Sequence, residues 1–218
     1  MGGGVLLDRN SRLEDFILGL AGSSRPRVCF LPTAGGENPE RIVRFYEEFS
    51  ARDCEPSHLP LFGMPESPAA RLAEQDVVYV GGGNTANMLA IWRVHRIDRA
   101  LREAWSRGAV LAGMSAGANC WFEGCVTDSF GPELRELGEG LGILSGSFCP
   151  HYDGEPERRP TYTRLVGEGI LPPGYAADDD AGFHFQGRQL REVVTQREGA
   201  RGFRVTAEGE EAIEPRLL

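Results

Sequence analysis

The sequence predicts an α/β protein with a doubly wound, mostly parallel sheet and an antiparallel C-terminal extension. Three observations carry this. Short apolar runs at 27–32, 76–80 and 109–112 read as strands buried on both faces. Helical stretches separate them, and parallel pairing needs such crossovers. After residue 151 the rhythm changes to strand-like runs joined by short turns. The chain has 218 residues, enough for one substantial core and short for two, so 1–218 is read as a single domain.

The elements follow in order. Residues 27–32 form a buried strand, and 38–52 a helix with Pro39 in its first turn, where the missing amide is harmless. A short strand at 57–61 leads to a Pro/Gly-rich loop at 62–68. The strand at 76–80 ends in Gly81-Gly82-Gly83, and Asn84 is placed to cap a helix over 85–93. A second helix, 97–107, precedes the strand at 109–112. Phe148-Cys149-Pro150 marks the carboxyl end of another strand, and 157–166 looks helical. Residues 175–185, 189–195 and 203–205 are read as antiparallel strands extending the same sheet. The tail beyond Thr195 carries no motif and is expected to tolerate deletion.

Composition excludes several functions. A net charge of -9 repels phosphate backbones and anionic lipid, so neither nucleic acid nor a membrane surface is an expected partner. The five cysteines are an odd count in a chain too large to need disulfide staples. Cys120-x4-Cys125 and Cys149-Pro150-His151 fit no established zinc spacing, so no metal is expected. Residues 1–8 are Gly-rich at the start, without the basic and apolar pattern of a signal peptide, and no transmembrane stretch follows. A cytoplasmic location is the expectation.

The chemistry concentrates in Gly113-Met114-Ser115-Ala116-Gly117, directly after a buried strand and before a helix. At such a corner a serine projects beyond the carboxyl end of the sheet, where open α/β folds place their sites. A serine hydroxyl needs a base near neutral pH. His95 sits in a basic helix end, His58 opens a short strand, and His184 alternates with Phe183 and Phe185. His151 closes a strand on the same rim as Ser115 and is the favoured base.

Val80-Gly81-Gly82-Gly83-Asn84-Thr85, then Gly113 to Asn119, then Pro150-His151-Tyr152 resemble, in this order, the peptidase E (S51) serine peptidases. These include aspartyl dipeptidases and cyanophycinases on a fold like the class I glutamine amidotransferases. The resemblance covers about residues 27–195. It implies Ser115 as nucleophile, His151 as base, and an acid within 176–181. The best register puts Asp179 there, an aspartate where the family usually carries glutamate, with Asp178 and Asp180 as alternatives. The chain order Ser…His…Asp differs from the Ser…Asp/Glu…His of α/β-hydrolases. The amide of Ala116 is the expected oxyanion donor, joined by Gly83 or Gly82.

The resemblance further implies Asp-Xaa dipeptides as substrates, with Arg159 and Asn84 in contact with them, since an arginine fork suits a carboxylate. Asp153 and Glu155 are candidates for a substrate amine. No cofactor is expected, and a homodimer is the expected assembly. The alternatives are a cyanophycinase-like enzyme, another peptidase or esterase, or a non-catalytic binding module. A glutamine amidotransferase is disfavoured because position 115 is not cysteine.

Overall fold

The computed structural model describes residues 1–3, 11–63 and 67–218. The first half contains α1 (Arg12–Leu20), β1 (Arg27–Leu31), α2 (Pro39–Ser50), β2 (Glu55–His58), α3 (Pro68–Ala73), β3 (Val77–Val80), α4 (Thr85–His95), α5 (Ile97–Ser106), β4 (Val110–Gly113) and a short α6 (Ala116–Asn119). Next come β5 (Gly124–Thr127), β6 (Arg135–Leu137), β7 (Ser147–Cys149), α7 (Arg158–Gly167) and β8 (Gly174–Ala177). The chain ends in β9 (Ala181–Gln186), β10 (Gln189–Thr195), β11 (Gly202–Thr206), β12 (Gly209–Ile213) and β13 (Arg216–Leu217).

Strands β2-β1-β3-β4 form an all-parallel sheet in that order. Its central members are the continuous apolar runs: Val28 to Leu31 and all of β3 are buried. Helix α2 starts where Asn38 accepts the Glu40 amide at 2.8 Å, with Pro39 as its first residue. Its buried face carries Phe45 and Phe49, and Phe45 stacks on Phe30 of β1 at 4.8 Å between ring centroids. Each such buried phenylalanine contributes roughly 1.5–3 kcal/mol relative to an exposed one. Asn84 caps α4 by accepting the Asn87 amide at 2.8 Å.

A second sheet runs β12-β11-β8-β7-β5-β6, parallel across β8, β7 and β5 and antiparallel at both edges. The run at 175–185 is therefore two strands, broken at Asp178–Asp180, where Asp180 adopts φ +66°. The first of them, β8, pairs parallel with β7, not antiparallel as expected. Strands β9 and β10 form a hairpin around Gly187 (φ +60°) and belong to a separate sheet with β13. Of the runs expected as an antiparallel extension, only 203–205, within β11, extends the larger sheet antiparallel, with β12 beside it. The tail is also no loose appendage: Val205 and Ala200 are buried, and Val205 pairs with Gly174 of β8. The loop expected at 62–68 ends earlier, because Pro68 opens α3; its residues 64–66 lie outside the described residues, as do 4–8 of the N-terminal reading. No helix among the described residues is long and apolar enough to cross a membrane.

Helix α1 places Glu14, only 1 % exposed, against β3. Its Oε1 accepts the Tyr79 hydroxyl at 3.0 Å, while Oε2 finds no partner among the described residues. Burial raises its pKa from 4.5 to about 7. The folded state thus holds this proton more tightly than the unfolded chain does. Its contribution is full below the unfolded value and declines as pH rises through the folded one. Glu14→Gln, neutral throughout, should therefore gain about 2–3 kcal/mol on the wild type between pH 5 and pH 8. Urea melts at the two pH values check this; parallel losses in both proteins would refute it.

Candidate active site

The elbow is built by close backbone contacts. A side chain at Gly113 would overlap the Gly117 carbonyl, and one at Gly117 would overlap the Val80 carbonyl of β3. Glycine at both positions lets the β4–α6 turn fold onto the sheet. Ser115 between them adopts φ 54° and ψ −117°, a backbone state a non-glycine residue holds only under constraint from its surroundings. Met114 N–H donates to Val80 O at 3.2 Å, and Ala118 and Asn119 amides close on the Ser115 carbonyl.

His151 follows β7, also at positive φ (55°). Its Nε2 lies 2.9 Å from Ser115 Oγ and its Nδ1 2.8 Å from Asp179 Oδ1. The three residues follow β4, β7 and β8, so they meet at the carboxyl ends of parallel strands. The hydrogen bond from His151 outweighs burial and holds the Asp179 carboxyl below the usual range. The Asp179 amide donates to Asp153 Oδ1 at 2.8 Å, and its carbonyl accepts from Arg197 at 3.0 Å.

The neighbouring acids are engaged elsewhere. Asp178 accepts the Arg201 amide at 2.8 Å, and burial raises its pKa. Asp180 accepts Gln196 Nε2 at 2.9 Å and pairs with Arg197 at 3.2 Å. Among 178–180, then, it is Asp179 that the fold aims at His151. The two carboxylates considered for a substrate amine are also paired, Asp153 with Arg197 and Glu155 with Arg158.

Ser115 and His151 open into a cavity of about 230 Å³ lined also by Arg41, Arg44, Gly82, Gly83 and Met114. Gly82 packs against Ser115: a side chain there would stand 3.2 Å from Ser115 Cβ. Arg41 Nη1 donates to Gly82 O at 2.7 Å, which fixes the plane of the Gly82–Gly83 peptide and so the heading of the Gly83 amide. Among the described residues neither Gly82 nor Gly83 finds an acceptor for its amide. Ala116 begins α6, where a first-turn amide has no intrahelical partner.

Arg159 and Asn84 are placed differently from the expectation. Arg159 ion-pairs with Glu210 of β12 and lies over the Tyr152 and Phe203 rings, outside the residues lining the cavity. Asn84 uses its oxygen for the α4 cap and its Nδ2 to hold Ser129 O at 2.9 Å. His58 bonds Tyr46 at 2.9 Å, His184 pairs with Glu192, and His95 lies in the last turn of α4. All five cysteines are buried, and burial pushes their thiols up, Cys29 to about 11 and Cys125 to about 12. No group of three potential metal ligands occurs among the described residues.

Sequence reasoning missed the N-terminal residues. Gly2 O accepts the Ser115 amide at 3.0 Å, Gly2 N–H donates to Ala181 O at 3.0 Å, and Gly3 O accepts the Asp180 amide at 3.1 Å. The segment ties the Ser115 turn to the turn at 178–180 and passes beside the His151 ring. The glycine run at residues 2–4 was the visible signal, though nothing local links it to residue 115. A larger apolar cavity of about 760 Å³ lies between β4 and β9, but it holds none of Ser115, His151 and Asp179.

A serine on a strained strand-to-helix turn, with a histidine and an aspartate in line behind it at the carboxyl ends of parallel strands, is an arrangement suited to a serine hydrolase. Comparison with known proteins narrows the class. The model of peptidase family S51 matches residues 1–193, and the chain belongs to that family. It is 52% identical over 206 residues to the uncharacterized peptidase YgaJ of Bacillus subtilis (strain 168), covering 94% of this chain and 89% of the relative. Peptidase E of Pasteurella multocida (strain Pm70) is 26% identical over 192 residues, covering 82% and 78%. The crystal structure of a peptidase from an acI-B1 actinobacterium shares the fold, with a TM-score of 0.71 at 18% identity, over 99% of this chain and 92% of that one.

Proposed function

We propose that this peptidase hydrolyses small acidic peptides, dipeptides with N-terminal aspartate foremost, through an acyl-enzyme on Ser115. The observation that carries the reading is the continuous line Ser115 Oγ, His151, Asp179, at 2.9 and 2.8 Å, opening into a small cavity whose lining, among the described residues, has two arginines and no carboxylate. Similarity to proteins named peptidase E supports the peptide class.

In this mechanism Ser115 Oγ bonds to the peptide carbonyl carbon as His151 Nε2 takes its proton. The carbonyl oxygen becomes an oxyanion facing the amides of Ala116 and of Gly83 or Gly82. His151 returns the proton to the nitrogen, the C–N bond breaks, and the amine leaves. Water then adds to the ester, giving its proton to His151, and Ser115 departs with that proton. Asp179 stabilises the imidazolium and holds its tautomer. The buried free thiols support the cytoplasmic placement.

A panel of Asp-Leu, Leu-Leu, Arg-Leu, β-linked Asp-Arg and a simple ester tests the specificity. Hydrolysis of Asp-Leu above the others is the expected result. Preference for β-Asp-Arg or for the ester would assign a different hydrolase on the same machinery. Inertness toward both the panel and an active-site phosphonate would leave a binding module.

A further inference from the structure

The cavity beside Ser115 is cationic in a chain whose net charge is -9. Its two arginines lie on α2, three residues apart and so on one helix face. Arg41 is committed to the Gly82 carbonyl at 2.7 Å. Arg44 is exposed, and among the described residues it makes no hydrogen bond or ion pair. Three arginines that follow His151 in sequence, Arg158, Arg159 and Arg197, contrast with it. Arg158 pairs with Glu155, Arg159 with Glu210, and Arg197 with Asp153 and Asp180. Every one of those cations is neutralised within the chain.

We propose that Arg44 binds a carboxylate of the substrate and sets the preference for acidic peptides, the part assigned from resemblance to Arg159. Arg41 serves the same pocket indirectly, holding the Gly82–Gly83 turn against Ser115 while its positive charge adds to the field. A guanidinium presents two parallel N–H donors to a carboxylate, and among the described residues no acid lines the cavity. In an Asp-Xaa dipeptide the anchored group is either the aspartyl side chain or the terminal carboxylate. The inference rests on the peptidase reading for its substrate class, so its test uses binding, which proceeds without catalysis.

Calorimetry compares Ser115→Ala with Ser115→Ala/Arg44→Gln, each titrated with Asp-Leu, Asn-Leu and Asp-Leu amide. Loss of Arg44 should weaken Asp-Leu binding about 10- to 100-fold, the range for a charge-assisted hydrogen-bonded pair. The analogue lacking the anchored carboxylate should bind both proteins equally, Asn-Leu if the side chain is held and the amide if the terminus is. Arg44→Lys should restore part of the loss, since it keeps the charge without the fork. Equal binding of Asp-Leu by both proteins, or binding by neither, overturns the inference. Turnover of Asp-Leu by wild type with Arg44-independent binding would sink this assignment and leave the peptidase reading standing. Arg44-dependent binding without turnover would do the reverse.

Discussion

Ser115→Ala is expected to lower kcat on Asp-Leu by about 10⁴- to 10⁶-fold, with folding and KM little changed. The change removes one oxygen from a position already held by backbone contacts. Its amide still donates to Gly2 O and its carbonyl still caps α6, so the turn keeps its shape. What disappears is the atom 2.9 Å from His151 Nε2 that the proposed mechanism makes the acyl oxygen. Labelling by a serine-directed phosphonate should vanish with it. A variant that kept a tenth of wild-type turnover would mean that water or another side chain performs the attack. The five thiols offer no substitute: each is buried and held as the neutral thiol.

How much of this was legible in the sequence depended on whether the determining contact was local. Continuous apolar runs such as 28–31 and 77–80 announce strands covered on both faces, and the parallel sheet follows. The cap at Asn84 and the glycines around Ser115 act within a few residues, so their roles could be read directly. The placement of Ser115 and His151 on one rim followed from strand direction alone. Strands of the second half were harder. Strands β6 and β13 have only three and two residues, too few for a period, and they exist because a longer neighbour offers them an edge.

Long-range charge pairing was not legible at all. Arg159 resembled a substrate contact until the fold brought Glu210 to it from 51 residues away. Arg197, in the tail that looked dispensable, braces both Asp153 and the Asp179 carbonyl. Arg44 stands 71 positions before Ser115, and only the parallel crossover brings α2 to the mouth of the site. The three aspartates at 178–180 illustrate the same limit. Their identities are alike, and what separates them is which neighbour reaches each one. Asp178 faces the backbone of Arg201, Asp180 faces Gln196, and Asp179 is left to His151.

The second large effect is expected at Gly3, a residue outside the lining of the Ser115 cavity. A methyl group added there would overlap His151 Cε1 and Nδ1 and Asp179 Oδ1 at once. The segment cannot slide aside freely, because Gly2 is bonded to Ser115 and Ala181 and Gly3 to Asp180. In Gly3→Ala the imidazole must therefore turn away from Asp179, or the N-terminal residues must leave the elbow. Displacing a catalytic group by about 1 Å costs on the order of 10²-fold in rate, so kcat should fall by at least that factor with KM nearly constant. The low-field imidazole N–H proton resonance of the His151–Asp179 bond should shift or broaden, a change that simple loss of stability would not produce. Gly19→Ala in α1 is the matched control, since a methyl there meets nothing within 4 Å and removes glycine from a helix. Wild-type kcat and an unshifted resonance in Gly3→Ala would show that the segment only lies beside the catalytic pair, whereas their joint change would make residues 1–3 the brace that fixes the distance between nucleophile and acid.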